Sequence, residues 1–216
     1  MPDVLIPDID EARIERLVDT FLRGDEARSH LQLQLGLDRE GFLAFCGRHP
    51  DLLTELEPDG TVTVMSPLVF ISSDHEEEAY DQLKAWWRRA RVGRVKGASA
   101  GFTLPSGAVK APDVAWISPE RIAAVDAEDF EHFPRLVPDF VIEVRSKTDR
   151  LKKAKAKMTD TWLDAGVRLA WLIDPREQHV YVYRPGAEVE TVSDFSGKLS
   201  ADEVVPGFEM DLTEFV

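Results

Sequence analysis

The chain has 216 residues, 44% of them hydrophobic, which suits one compact domain with a small appendage. Its formal net charge of −14 weighs against a protein that coats nucleic acid, because backbone binding needs Lys and Arg to displace counterions. No apolar run is long enough to span a membrane, residues 1–6 lack the regions of a signal peptide, and the lone Cys46 cannot form an internal disulfide, so a soluble cytoplasmic protein is expected.

Residues 8–23 predict an amphipathic helix. Asp8 and Glu11 pair as a cap, and Ile14, Leu17, Val18, Phe21 and Leu22 fall on one stripe. Alternating Leu31, Leu33, Leu35 and Leu37 predict a short strand or extended segment, and residues 39–47 a short helix burying Phe42, Leu43 and Cys46. Residues 1–40 are expected to form an N-terminal helical extension packed on a main domain of residues 41–216. Pro58-Asp59-Gly60 joins residues 52–56 and 61–65 as a hairpin. A helix is expected over 74–91, with Ser73 and Glu76 as a capping box and Ala79, Leu83, Trp86, Trp87 and Ala90 as its apolar side. Strands follow at 94–96, 100–104 and 113–117. Ser118-Pro119 starts a short helix, and residues 126–131 form an acidic surface connection. Residues 139–145 predict a central strand. A long helix capped by Thr148 or Asp149 runs to Ala165, where Gly166 ends it, and residues 168–173 and 179–183 make another hairpin. The tail from Glu188 reads as short strands and turns. This order describes an α/β fold with helices on both sides of one mixed central sheet.

Two of these strands carry an acid where a core strand should have none. Asp113 opens Asp113-Val114-Ala115-Trp116-Ile117, and Glu143 interrupts Phe140-Val141-Ile142-Glu143-Val144. A buried carboxylate is costly unless it is paired or holds a metal. Read alone, Asp113 can equally cap a turn after Pro112, and Glu143 can sit in a structural ion pair with Arg145 or Lys157. Among the five histidines no pair has ligand spacing, and no Walker loop, dinucleotide fingerprint or Gly-X-Ser-X-Gly elbow is present.

Pro112-Asp113 with a later Glu143-X-Arg145 resembles the PD-(D/E)XK nuclease signature. Several flanking words occur in the order expected of the Uma-two family of restriction-endonuclease-like proteins. They are Leu104-Pro105-X-Gly107, Pro112-Asp113-Val114-Ala115, Pro138-Asp139-Phe140-Val141-Ile142-Glu143-Val144-X-Ser146, Lys157-Met158, Gly166-Val167 and Leu172-Ile173-Asp174-Pro175. The resemblance spans roughly Gly41 to Val216. It implies a restriction-endonuclease-like core and a DNA endonuclease in which Asp113, Glu143 and the Val144 carbonyl bind Mg²⁺ or Mn²⁺, with Glu76 or Glu78 on the first core helix as an additional acid. His75 falls near a histidine often found before that helix; read by residue it is an exposed first-turn side chain.

The signature lysine is replaced here by Arg145. Arginine stabilises charge but stays protonated, so it is a poor base. Lys157, where the family has a helical lysine, is the candidate to take over. Basic residues cluster in two segments: Arg88, Arg89, Arg91, Arg94 and Lys96, then Arg145, Lys147, Arg150, Lys152, Lys153, Lys155 and Lys157. Arg88, Arg89, Lys147, Lys152 and Lys153 are the candidate DNA contacts; solvated helix faces explain the same clusters. The rival reading is a catalytically inactive nuclease-fold protein serving as a binding or assembly module. A homodimer is expected for cutting both strands, built on the first helix and the exposed hairpin around Arg176.

Overall fold

The structure, a computed structural model, describes residues 11–23, 30–65, 70–147 and 149–216. Its frame is a six-stranded sheet. In spatial order the strands are β11 (Glu190–Val192), β10 (His179–Tyr183), β9 (Leu169–Asp174), β8 (Phe140–Val144), β7 (Val114–Ile117) and β4 (Arg94–Gly97). Only β8 and β9 run parallel. Strands buried on both faces need apolar side chains at every position, and that is why β8 and β9 read as unbroken apolar runs. Phe140, Ile142, Val144, Trp171 and Ile173 point to one face. Helix α3 (Phe70–Ala90) covers that face with Ala79, Leu83 and Trp86, joined by Phe208 and Met210 from the tail. Val141, Ala170 and Leu172 point to the other. There α5 (Leu151–Ala156) runs on into a π-helical stretch, Lys157–Leu163, which supplies Met158 and Trp162. The expected mixed sheet between helices is present.

The expectation of a single sheet is not met. A second, antiparallel sheet has the order β1 (His30–Gln34), β3 (Thr61–Met65), β2 (Leu53–Leu56), β6 (Val109–Lys110) and β5 (Phe102–Thr103). Residues 102–103 therefore lie here rather than beside β4 and β7. Proline separates the two sheets: Pro112 has no N–H to give a ladder, so the chain leaves the second sheet at Lys110 and enters the first at Val114. Helices α1 (Glu11–Arg23) and α2 (Arg39–Arg48) pack on this sheet through Ile14, Val18, Phe42 and Phe45. The Arg39 guanidinium joins α2 to the acidic connection, pairing with Asp129 at 2.6 Å and donating to the Phe133 carbonyl at 2.8 Å. After β7, α4 (Pro119–Ala123) begins as expected, with the Ser118 hydroxyl accepting the Arg121 N–H. A small ladder of β12 (Lys198–Ser200) and β13 (Glu209–Asp211) closes the tail.

Four local expectations change. Leu17 is 43% exposed, so the buried stripe of α1 is narrower than its apolar sequence; Asp8 lies outside the described residues. Helix α3 begins at Phe70, since no proline or glycine interrupts the stretch from there to Asp74, and Ser73 falls inside the helix rather than at its cap. The long helix to Ala165 is a short α-helix followed by the π-helical stretch. Its N-cap is Arg150, because the Asp149 carboxylate instead accepts the Ser146 N–H at 3.0 Å and hydroxyl at 2.7 Å; Thr148 lies outside the described residues.

Gly60 makes the β2–β3 turn possible. Its φ is +83°, and a Cβ there would lie 2.6 Å from the Gly36 carbonyl carbon and the Leu37 nitrogen. Gly107 has a similar φ of +87° but open space around it. Gly60→Ala is expected to destabilise the protein by at least about 1 kcal/mol more than Gly107→Ala, since only the first adds a backbone clash to the left-handed strain. Urea unfolding of both variants measures the difference; equal losses would contradict the packing described.

Candidate active site

The sheet geometry brings the two core acids together. Val114 on β7 lies opposite Ile142 on β8, and the same antiparallel register carried one place further sets Asp113 across from Glu143. Asp113 sits just before β7, where Pro112 has released the chain from the other sheet. Its Oδ2 accepts the Val144 N–H at 2.6 Å, so its position is fixed by the backbone of the neighbouring strand. Asp113 thus does more than cap a turn.

Glu143 is buried, and both of its oxygens are held. Lys157 Nζ lies 2.8 Å from each of them, and Trp162 Nε1 donates to Oε1 at 2.8 Å. The π-helical stretch makes this grip possible. Hydrogen bonding five residues apart widens the turn, so that Lys157 and Trp162 share nearly one face; at 3.6 residues per turn they would diverge by about 140°. The indole fixes the carboxylate while the lysine, about one-third exposed, keeps its ammonium open to solvent.

Glu76 is the third acid. Helix α3 carries its N-terminal half to this end of the sheet, and Glu76 stands close enough to Glu143 and Asp113 for their charges to act on one another. Glu78 does not join them. Two residues on a helix point about 200° apart, and Glu78 instead accepts from Gln82, one turn along, at 2.9 Å. His75 lies against the Phe215 ring, 6.1 Å between centroids.

The electrostatics follow from three acids around one lysine. Burial pushes the Asp113 carboxyl well above its ordinary range, and the charges of Glu143 and Glu76 add to it. Burial also raises Glu143, although the Lys157 ammonium opposes the effect. Glu76 is pushed up to about 7, first by burial and then by Glu143. For Lys157, burial would favour the neutral amine, but Glu143, Glu55 and Asp113 outweigh it and hold the ammonium well above the usual lysine range.

Glu55 and Lys110 complete the surroundings, and sequence reasoning did not single them out. Both are buried. Lys110 Nζ donates to Glu55 Oε2 at 3.1 Å, and the Ala111 N–H donates to Glu55 Oε1 at 3.1 Å. Lys110 also pairs with Glu57 at 2.6 Å. The charge of Lys157 leads that of Lys110 in drawing the Glu55 carboxyl below its usual range, against the opposing effect of burial. The available signal was Lys110 itself, a cation inside the small, apolar run Ala108-Val109-Lys110-Ala111 that demands an acidic partner.

Arg145 is not brought to the acids. It lies past the end of β8, and its guanidinium pairs with the fully buried Asp174 at the end of β9 and donates to the Asp149 carbonyl at 3.2 Å. Asp139, at the opposite end of β8, binds the Ser118 N–H at 2.7 Å and the guanidinium of Arg121 at 3.1 Å. The basic candidates divide as well. Lys147, Lys152 and Lys153 are exposed on the segment leaving β8, and Lys153 Nζ lies 3.0 Å from His30 Nε2 on β1. Arg88 and Arg89 are exposed at the far end of α3, about 18 Å along the helix from Glu76.

The donor set is all oxygen, which suits a hard divalent cation such as Mg²⁺. Among the described residues no three or more His, Cys, Asp or Glu side chains are arranged to enclose an ion. Mg²⁺ keeps several waters and takes few protein ligands, so two facing carboxylates fit it, and each oxygen on Glu143 retains acceptor capacity beside its present partners.

The structure thus sets two acids facing each other at the ends of adjacent core strands of a mixed α/β sheet, with a helical lysine on one of them and Arg145 turned away. The model of the Uma2 family, described as "Putative restriction endonuclease", matches residues 39–213, and the chain belongs to that family. Among solved structures, the fold is similar to a crystal structure entitled a putative nuclease belonging to DUF820 from Anabaena variabilis. The match covers 83% of this chain and 97% of that one, with a TM-score of 0.65 and 19% identity. At that identity the likeness concerns the fold. No curated protein matches the chain.

Without metal, ionising Glu76 opposes folding. The folded protein keeps its proton up to about pH 7, whereas the unfolded chain releases it near 4.5, so stability falls as pH rises between those values. In EDTA, Glu76→Gln is therefore expected to raise the thermal midpoint at pH 8 and leave it unchanged at pH 4. Scanning calorimetry at both pH values decides; an equal shift at the two would show that the side chain does not titrate in this environment.

Proposed function

We propose that this protein is a divalent-metal-dependent DNA endonuclease that hydrolyses phosphodiester bonds. The observation that carries the reading is the facing pair Asp113 and Glu143 with Lys157 on the second acid. The family match and the shared nuclease fold support it. Asp113 and Glu143 would hold Mg²⁺ or Mn²⁺, with the Val144 carbonyl as a third ligand and Glu76 as the acid nearest the remaining positions. A bound divalent ion would polarise the phosphodiester, stabilise its developing charge and acidify a water.

The chain's own residues have distinct tasks in this account. Asp113 is placed by the Val144 N–H and brings one carboxylate to the site. Trp162 holds Glu143 in one orientation. Lys157 takes the role of the signature lysine: its ammonium, open on one side to solvent, orients the attacking water and meets charge on the phosphate. Arg145 contributes through the fold, since Asp174 holds its guanidinium. Lys147, Lys152 and Lys153 would meet the DNA backbone beside the site. Arg88 and Arg89 would meet it only further along a duplex. A basic strip on an otherwise acidic body confines backbone binding to one face.

Cleavage of supercoiled plasmid tests this reading. Wild type is expected to nick or linearise it with Mg²⁺ or Mn²⁺ and not in EDTA. Asp113→Asn and Glu143→Gln are expected to lose at least about 100-fold. Lys157→Ala should lose roughly 100- to 1,000-fold, the range for a lost donor that stabilises developing charge. Retained cleavage in Asp113→Asn would sink the proposal. Activity in Lys157→Ala equal to wild type would remove Lys157 from it.

A further inference from the structure

Asp113 is placed from two directions, and only one of them belongs to its own sheet. On one side its carboxylate takes the Val144 N–H. On the other, the chain reaches it directly from β6, through Lys110, Ala111 and Pro112. That crossing is bound at its start by one side chain. Glu55 on β2 accepts the Ala111 N–H through Oε1 and the Lys110 ammonium through Oε2, both at 3.1 Å.

The ladder with β5 holds β6 as far as Lys110, opposite Phe102, but on the β2 side the strand pairing stops earlier. The only pairing between β2 and β6 joins Leu56 to Val109, and Pro112 has no N–H to offer. Glu55 supplies what the ladder omits, and it does so from a buried position, 6% exposed, where a carboxylate persists only when it is fully partnered. Its neighbours are matched to that task. Lys110 is itself 6% exposed and is shared with Glu57 at 2.6 Å, and Glu57 in turn accepts the Thr63 hydroxyl at 3.0 Å. A structural pair in the second sheet needs only the lysine; the bond to the Ala111 N–H reaches the backbone two residues before Asp113.

We propose that Glu55 is a positioning residue for the acid site: its carboxylate fixes the crossing backbone at Ala111 and thereby sets Asp113 against Val144 in the other sheet. The proposal rests on the reading of Asp113 as a metal-binding acid only for its consequence in catalysis. The positional claim stands on the geometry, and it is tested without metal or DNA.

The test is amide hydrogen exchange of ¹⁵N-labelled full-length protein in EDTA, read by NMR. Glu55 is changed in the otherwise wild-type chain, where Lys110 keeps a carboxylate partner in Glu57. In Glu55→Ala, the amides of Ala111 and Val144 are expected to exchange at least about tenfold faster than in wild type, while Val182 and Tyr183 on β10, two strands beyond β8, keep their protection. In Glu55→Gln, the amide oxygen still accepts from Ala111, and Val144 is expected to stay within about threefold of wild type. Unchanged Val144 exchange in the alanine variant would overturn the proposal. So would a uniform increase across the sheet, which would mark Glu55 as a general stabiliser, and so would a glutamine variant no better than alanine. A wild type that cleaves no DNA would overturn the nuclease reading and leave this result to stand or fall by itself.

Discussion

The structure depends on how one carboxylate is kept inside a core strand. Glu143 occupies a position in β8 that an apolar residue would fill at no electrostatic cost, and the surrounding chain is arranged to hold it there. Lys157 supplies the opposite charge and Trp162 a neutral donor, each at 2.8 Å. A buried pair of this kind is weak evidence for stability, because desolvation offsets most of the attraction. Its presence is better explained by what it positions. The helix after β8 gives up regular α-geometry over Lys157–Leu163 at the point where both partners must face the same acid. Such π-turns cluster at functional sites because they re-aim side chains that α-geometry would separate.

The second constraint is that the site is built from two sheets. Glu143 and Asp113 belong to the six-stranded sheet, whereas Glu55 and Lys110 belong to the five-stranded one. The chain connects them through the short crossing at Ala111 and Pro112, and charges on each side act on the other: Glu55 raises the Glu143 carboxyl, and Lys157 lowers that of Glu55. Five carboxyls, Glu57 included, therefore share the ammonium groups of Lys110 and Lys157. Glu55 takes the better share of that positive charge. Asp113, Glu143 and Glu76 are left with raised pKa values, first because they are buried and then because neighbouring carboxylates repel their charge.

Much of this was legible in the sequence because the informative residues broke a local rule. An acid in Phe140–Val144 contradicts a buried strand, and the contradiction pointed to Glu143 and to a cationic partner, with Arg145 and Lys157 both open. Glu76 and Glu78 were both candidates by sequence, with capping the stronger explanation for Glu76, because the choice between them depends on which way α3 faces. What stayed hidden depends on contacts between distant segments. Glu55 reads as the polar position of an alternating hairpin until the second sheet folds over the end of the first. Arg145 shares the strand face of Glu143 by period two, but it lies beyond the last paired residue, where Asp174 at the end of the parallel neighbour is closer. The early start of α3 and the π-helical stretch have no marker residue: no proline or glycine lies between Phe70 and Ala90, or between Leu151 and Leu163.

The central claim is that Asp113 and Glu143 together form a binding site for one divalent cation. Calorimetric titration of Mn²⁺ into wild type, Asp113→Ala and Glu143→Ala tests it most directly, with a DNA duplex present in a parallel series. The account predicts one site per chain in wild type, with or without DNA, and its loss in both variants. Folded wild type that takes up no Mn²⁺ in either series, or variants that bind it as tightly as wild type does, would contradict the claim.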